Sequence, residues 1–202
     1  MTMVELLVSS AILVVVLGIV YTVLFTALGA SVKQTDRSLT NDQARQAVEQ
    51  IDREIRSGNV FFDPASEATD PAHQIAPSMS LRVYTQADYP TFASNRCYQW
   101  RVTTDGLLQS RSWQSDADGT PRSATVTNFH TVADHIVNRV NSPNVPAFVM
   151  TLPNRTVTIT MVVNQRSRSG SDESIESAVT GRNTVYNQPS TVSRECTTIP
   201  SY

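Results

Sequence analysis

Three histidines and two closely spaced aspartates are the residues of this chain that could support acid–base or metal chemistry. His73, His130 and His135 are scattered, and the last two lie five residues apart, which does not match the i, i+4 spacing of metal ligands on a helix. No cysteine accompanies them at a spacing typical of a zinc site. We therefore expect surface or lightly packed histidines that hold no cofactor.

The segment SDADGTP resembles the first half of a calcium-binding loop, because Asp116 and Asp118 precede Gly119. It lacks the third ligand and the distal glutamate of an EF-hand. Aspartate and glycine also dominate turns, so the prediction is a polar hairpin turn, with a metal site as the weaker alternative. The chain contains no phosphate-binding glycine loop, no HExxH and no GxSxG. No enzymatic activity is predicted.

Two cysteines, Cys97 and Cys196, are the whole thiol content of the chain. If the domain that carries them is exported, the oxidising environment favours a disulfide between them. Such a bridge would close a loop of about 100 residues and stabilise the fold by up to roughly 4.7 kcal/mol. The alternative is two separate buried thiols, since free cysteine is among the most buried residue types.

A single carboxylate, Glu5, precedes the most apolar part of the sequence. The 27 residues from Leu6 to Val32 carry no charge, and as a helix they would be about 40 Å long, enough to cross a bilayer. An ordinary signal anchor would carry Lys or Arg at its cytoplasmic end, and no basic residue precedes this run. A glutamate inside hydrocarbon is costly unless a positive group meets it.

The apolar helix is predicted to continue beyond Val32, because no proline or glycine occurs from Lys33 to Ser57. One face repeats apolar residues at i, i+3, i+4, i+7 and i+11. The opposite face has three oppositely charged pairs at i, i+4, and Gly58 follows where a C′ glycine would end the helix. The stripe is Ala44, Ala47, Val48, Ile51 and Ile55, and the pairs are Arg45–Glu49, Glu49–Arg53 and Asp52–Arg56.

The rest of the chain is predicted to be a β-rich head. FFDPASEATDPAHQIAPSM lacks periodicity and predicts a loop, FHTVADHIVNRV is ambiguous between helix and strand, and TTDGLL predicts a tight hairpin at Asp105–Gly106. Strands after one long helix favour an α+β fold with an antiparallel sheet covering the stripe. The predicted divisions are 1–32, 33–58 and 59–202. The predicted strands are SLRVYTQ, RCYQWRV, LLQSRSWQ, PAFVMTL and RTVTITMVVN, with ESAVTGRNTV as a weaker last one.

The charge of the chain is nearly balanced. The formal net charge is −2 at pH 7, which provides no basic field for nucleic acid or anionic lipid. Nucleic acid is therefore not an expected partner.

The segment MVELLVSSAILVVVLGIV resembles the mature N-terminus of type IV pilins and of the pseudopilins of type II secretion. ARQAVEQIDREIRSGNVF and CYQWRVTTDGLLQSRSW are similar to the minor subunits of the pseudopilin J and PilW-like branch. The resemblance implies the type IV pilin fold, with a long helix packed on the sheet of the head. It also implies other pilin subunits, the inner membrane and a prepilin peptidase as partners. After processing and N-terminal methylation, the subunit would move from the membrane into an extracellular pilus or a periplasm-spanning filament.

Two positions differ from the family pattern. Met1 stands where mature pilins usually have phenylalanine, and Thr22 stands where major pilins often have a helix-loosening proline. The weak points of the apolar helix are then Gly18 and Gly29, each costing up to about 1 kcal/mol relative to alanine.

The resemblance also gives Glu5 a role. In staggered parallel helices, the carboxylate would meet the N-terminal amine, at Met1, of a neighbouring subunit, and the pair would set the register of the filament. The expected function is thus a structural subunit, a minor pilin or pseudopilin. The alternatives are a major pilin that forms the shaft, a bitopic surface-binding protein with a signal anchor and no polymerisation, and, less favoured, a membrane-bound enzyme.

Overall fold

The computed structural model describes one long helix, nine strands and short 3-10 turns. Contacts divide the chain into two compact units, Met1–Leu39 and Thr40–Tyr202. The described residues are 2–67, 69–85, 96–116, 118–139, 144–151, 156–164, 172–181, 185–186 and 196–200.

Helix α1 runs from Met3 to Ser57 and has 55 residues, as predicted. It contains no proline, and its two glycines, Gly18 and Gly29, lie in open space. Within the described part of the chain, α1 is the one helix long and apolar enough to cross a membrane. This confirms a helix capable of spanning a bilayer.

The apolar stripe predicted for the second half of α1 is buried. All five members belong to the main core of the second unit, and four of them are completely inaccessible to solvent. Of the three predicted ion pairs on the opposite face, Asp52–Arg56 forms, with Oδ2 2.7 Å from Nε. The structure gives no ion pair between Arg45, Glu49 and Arg53, whose side chains are all described. Solvated i, i+4 pairs are worth only about 0.3–0.5 kcal/mol, so spacing alone does not fix them.

Gly58 ends the helix at the predicted place, but for a different reason. Its φ does not lie in the left-handed region that a C′ glycine adopts. A Cβ atom at this position would instead lie 2.4 Å from Cε1 of Phe61 and 2.7 Å from Cγ1 of Val83. The glycine is needed because a strand begins there and turns tightly against the sheet.

Within the described residues, the nine strands form two sheets. The larger has the order β5-β4-β3-β2-β1-β9 and the smaller the order β6-β7-β8. Every pairing is antiparallel except that of β1 with β9, which is parallel. The fold is therefore α+β. The strands are β1 (Gly58–Phe61), β2 (Ser80–Thr85), β3 (Arg96–Val102), β4 (Leu108–Trp113), β5 (His130–Ala133), β6 (Phe148–Thr151), β7 (Thr156–Val163), β8 (Glu173–Thr180) and β9 (Val185–Tyr186).

All five main strand predictions correspond to observed strands, β2, β3, β4, β6 and β7. The ambiguous segment contributes the short strand β5. The weak last prediction lies on β8, which begins three residues earlier than expected, and extends to β9. The sequence did not predict β1, and it predicted one sheet where the structure has two. Both misses concern pairings between residues distant in the sequence.

The hairpin between β3 and β4 turns at Asp105–Gly106, as predicted. Gly106 has φ +76°, and its amide donates to the carbonyl of Thr103. A Cβ here would lie 2.9 Å from the carbonyl oxygen of Ile136. Both the positive φ and the close approach require glycine at this position.

Alternating side chains of the larger sheet face two different clusters. One face contributes Leu81, Trp100 and Leu108 to the core that includes the helical stripe. The other face carries a smaller cluster with Tyr84, Cys97, Trp113 and Cys196. The head thus has a helix on one face of its main sheet and a C-terminal segment on the other.

Candidate assembly site

The first unit presents an apolar surface with no cover of its own. Large side chains along α1 from Met3 to Leu39 are exposed, for example Met3 at 82% and Phe25 at 66%, and the most apolar stretch of the helix is entirely unburied. Soluble monomers rarely expose a contiguous apolar patch above a few hundred Å². This surface therefore requires a covering medium, either lipid or other apolar helices.

Three hydroxyl groups within the apolar run of this helix donate to its own backbone. Thr22 Oγ1 donates to the carbonyl of Gly18 at 2.8 Å, and Thr26 Oγ1 donates to that of Thr22 at 2.9 Å. Ser10 makes the same kind of bond to Leu7. Such bonds to the preceding turn let hydroxyl groups lie in an apolar medium without water. These three hydroxyl groups are thus compatible with a fully covered helix surface.

Glu5 lies in the first turn of α1, where its carboxylate caps the helix. Its Oε2 accepts a hydrogen bond from the amide of Thr2 at 2.7 Å, while its own amide donates to the carbonyl of Thr2 at 3.1 Å. An acidic group here also complements the positive end of the helix dipole. The hydrogen bond and the helix dipole therefore offset, within the same chain, part of the free-energy cost of placing this carboxylate in an apolar medium. Met1, the predicted partner residue, lies outside the described residues.

Sequence reasoning missed this cap, although the sequence signal was available. Thr2 and Glu5 have the T-x-x-E spacing of a capping box, in which the glutamate reaches back to the amide of the first residue.

The predicted disulfide between Cys97 and Cys196 is present. It joins β3 to the C-terminal segment with a Cα–Cα distance of 5.7 Å, and both cysteines are completely buried. The described residues include no free cysteine.

Buried arginines hold the C-terminal segment beside this disulfide. Nη1 of Arg82 donates to the carbonyls of Cys196 at 2.8 Å and Thr197 at 3.0 Å. Arg82 Nη2 lies 3.3 Å from Oε1 of Glu67, and Arg111 Nη2 donates to the carbonyl of Pro200. Burial raises the pKa of the Glu67 carboxyl, against the opposing effect of the two arginines, and burial lowers the pKa of Arg82. The segment therefore has polar anchors in addition to a covalent one.

One carboxylate links the helix to the larger sheet. Oε2 of Glu54 accepts a hydrogen bond from Nε1 of Trp100 at 2.6 Å. Desolvation by burial raises the pKa of Glu54 to about 7, although the bond to Trp100 acts in the opposite direction. This group therefore changes charge near neutral pH.

The candidate metal residues lie in a hairpin turn. Oδ1 of Asp116 is 2.6 Å from Nε of Arg122, and Oδ1 of Asp118 accepts from the amide of Thr120. Gly119 has φ +91°, and its amide donates to the carbonyl of Asp116. The Asp118 carboxylate thus stabilises the turn, and the Asp116 carboxylate forms an exposed ion pair with Arg122.

The three histidines lie apart, each beside a polar neighbour. His73 Nδ1 is 2.6 Å from Asp70, and His135 Nδ1 is 2.8 Å from Asp134. His130 Nε2 lies 2.9 Å from Oγ of Ser110 on the adjacent strand. Among the described residues, no three metal-ligating side chains come together.

The long apolar helix, the antiparallel sheets and the disulfide are compatible with a pilin-like fold. Comparison of the chain with protein-family models, curated protein sequences and solved structures found no match.

Proposed function

We propose that this chain is a structural subunit of a type IV pilus or a type II secretion-like filament. The observation that supports this most is the exposed apolar helix, which starts at one carboxylate and leads into an α+β head. Before assembly the helix lies in the inner membrane, and after processing by a prepilin peptidase it packs among other subunits in the filament core. The protein acts through assembly, without catalysis.

In this proposal Glu5 pairs with the N-terminal amine of a neighbouring subunit. Breaking a buried pair by removing one partner costs about 3–5 kcal/mol. Each 1.4 kcal/mol changes an association constant tenfold, so one lost pair weakens addition of a subunit by more than about a hundredfold. N-terminal sequencing of the purified protein identifies the residue that bears this amine.

The disulfide supports export of the head. Disulfides persist in the periplasm and at cell surfaces and are rare in the cytosol. Within the family, the resemblance of the segments at 44–61 and 97–113 favours a minor subunit of the pseudopilin J and PilW-like branch over a major pilin. Immunogold labelling distinguishes the two, because a minor subunit labels the tip or sparse positions and a major pilin labels the whole shaft.

The cap at Thr2 favours a second candidate, a bitopic surface-binding protein that does not polymerise. If Glu5 only starts the helix, the chain needs no neighbour's amine, and α1 serves as an anchor. The two candidates differ in what the negative charge of Glu5 contributes.

Two substitutions at one position separate these candidates. Glu5→Gln keeps an oxygen that can accept from the Thr2 amide but removes the charge, whereas Glu5→Leu removes both. Under the assembly proposal, both variants insert in the membrane at normal levels, yet both are depleted from filaments sheared off cells. Asp42→Asn, an exposed charge loss on the same helix, is the matched control and enters filaments normally.

Other outcomes contradict the proposal. Incorporation of Glu5→Gln at the wild-type level, with only Glu5→Leu depleted, would restrict Glu5 to capping. Wild-type protein that stays in the membrane fraction of piliated cells, and never enters sheared filaments, would favour the anchored surface protein.

A further inference from the structure

Strand β8 is an edge of the smaller sheet in the part of the chain that the structure describes. It has eight residues, longer than the average strand of five to six, and it pairs with β7 over its whole length without a bulge. It contains no proline, glycine or lysine. Natural sheets usually blunt their edges with proline, charged side chains, bulges, short strands or a covering helix or loop. Of these devices, β8 carries two charged side chains, Glu173 and Glu176. In the part of the chain that the structure describes, β7 is the strand with which β8 pairs.

A groove of about 440 Å³ runs between β8 and the second half of α1. Its helix wall is formed by Arg45, Val48 and Glu49, and its strand wall by Ser174, Ile175 and Glu176. Val48 and Ile175 border the main core and give the groove an apolar floor.

The rim of the groove is acidic. Its lining includes two carboxylates, Glu49 on the helix and Glu176 on the outward side of β8, and one guanidinium, that of Arg45. Both carboxylates are exposed, and neither forms an ion pair among the described residues. The groove therefore offers two exposed carboxylates without an ion-pair partner among the described residues to a ligand that reaches the strand edge.

We propose that this edge binds an extended segment of a partner protein as an added strand, with basic residues alternating with β-branched ones. A strand added at the usual spacing of 4.7–4.9 Å would direct alternate side chains to the two faces of the sheet. Those beside Ile175 meet the apolar floor, and those beside Glu176 meet its carboxylate. Main-chain bonds to β8 give affinity, and the alternating side chains give specificity.

Charge favours a basic partner over a second copy of this chain. Two antiparallel β8 edges paired over their whole length would bring the Glu176 carboxylates of both copies close together near the centre of the ribbon, and like charges across strands are destabilising. Strand addition at β8 does not depend on the proposed role of Glu5, because a single unassembled subunit already presents this edge.

The probe is the peptide TVKVKVT, added to the full chain in detergent micelles, with binding followed by fluorescence anisotropy. Hydrogen exchange of the β8 segment is measured in the same samples. We expect saturable binding and at least tenfold slower exchange of the β8 amides. The charge-swapped peptide TVEVEVT should bind at least tenfold more weakly. TVKPKVT, whose proline removes a strand bond, should lose most of its affinity.

Substitutions test the groove directly. Glu176→Gln should weaken binding of TVKVKVT severalfold, and Glu176→Lys should reverse the preference towards TVEVEVT. The matched control is Asp105→Asn, an equal charge change at the exposed β3–β4 hairpin, which keeps a good turn residue and should leave binding unchanged. Absence of binding, equal binding of the proline peptide, or exchange protection outside β8 would overturn the proposal.

Discussion

The two halves of helix α1 share one continuous helical backbone but differ in how their apolar side chains are covered. From Thr40 to Ser57 its apolar side chains form one stripe, and the sheets of the head cover that stripe. From Met3 to Leu39 they lie on all sides and stay exposed. A one-sided stripe indicates a partner within the chain, whereas a helix that is apolar all round requires a surrounding apolar medium.

The largest effect is expected from truncation, because a chain that starts at Lys33 lacks most of the exposed apolar half and keeps the head. Without the exposed apolar half, it should stay in solution without detergent and unfold cooperatively, with a circular dichroism spectrum of mixed helix and strand. Size-exclusion chromatography and thermal melts provide the measurement. A truncated chain that aggregates or melts without cooperativity would show that the head depends on the missing half.

Removing the disulfide should affect the head alone. Replacing Cys97 and Cys196 with alanine should lower the free energy of unfolding of the head by about 4 kcal/mol, because the bridge constrains a loop of about 100 residues in the unfolded chain. Denaturant unfolding followed by tryptophan fluorescence measures this. Membrane retention of the full chain should not change. A loss below about 1 kcal/mol would mean that the polar anchors at Arg82 and Arg111 hold the segment by themselves.

Equivalent substitutions in the two halves of the helix should differ sharply. Ile51→Ala opens a cavity in the core and should lower the unfolding free energy by about 3 kcal/mol. Ile12→Ala, at a side chain 59% exposed, should leave head stability unchanged. Denaturant melts of both full-length variants in the same detergent make the comparison. Equal losses of unfolding free energy in the two variants would contradict the division of the helix into a packed and an exposed half.

The smallest expected effect is a pH dependence that originates at Glu54. Its pKa in the folded head, about 7, exceeds its ordinary value of 4.5, so between these values the folded state binds more protons than the unfolded state. The free energy of unfolding should therefore fall as the pH rises from 5 to 8. After allowance for partial solvent contact, the expected fall is on the order of 2 kcal/mol.

Glu54→Gln should flatten this profile, because the amide can still accept from Trp100 without titrating. Glu49→Gln, on the exposed face of the same helix, is the control and should leave the pH profile unchanged. The raised pKa of Glu67 contributes a slope of the same sign. A profile that Glu54→Gln leaves unaltered would assign the pH dependence to Glu67.

The features predicted correctly from the sequence depend on neighbouring residues. The period of Ala44, Val48 and Ile51 fixes which face of the helix is buried, and Asp105–Gly106 specifies a hairpin turn. These signals need no knowledge of the rest of the chain. The disulfide was predicted from the redox environment, because only two cysteines were available.

The missed features depend on residues that meet only in the folded chain. Strand β1 has four residues, too few for a periodic signal, and it is defined by pairing with β2. The hydrogen bond from Arg82 to Cys196 joins residues 114 positions apart. The cap at Thr2 is an exception, because the T-x-x-E spacing that specifies it lies within four consecutive residues.

The disulfide also has a mechanical consequence. A tensile load applied between the first half of α1 and the C-terminal segment enters the second unit at Thr40 and is transferred at Cys97 directly to Cys196. The stretch from Thr40 to Arg96 can then unravel on the loaded side, which limits its extension to about 200 Å at 3.6 Å per residue. The residues between the two cysteines carry no load, and they include strands β4 to β9, among them the edge strand β8.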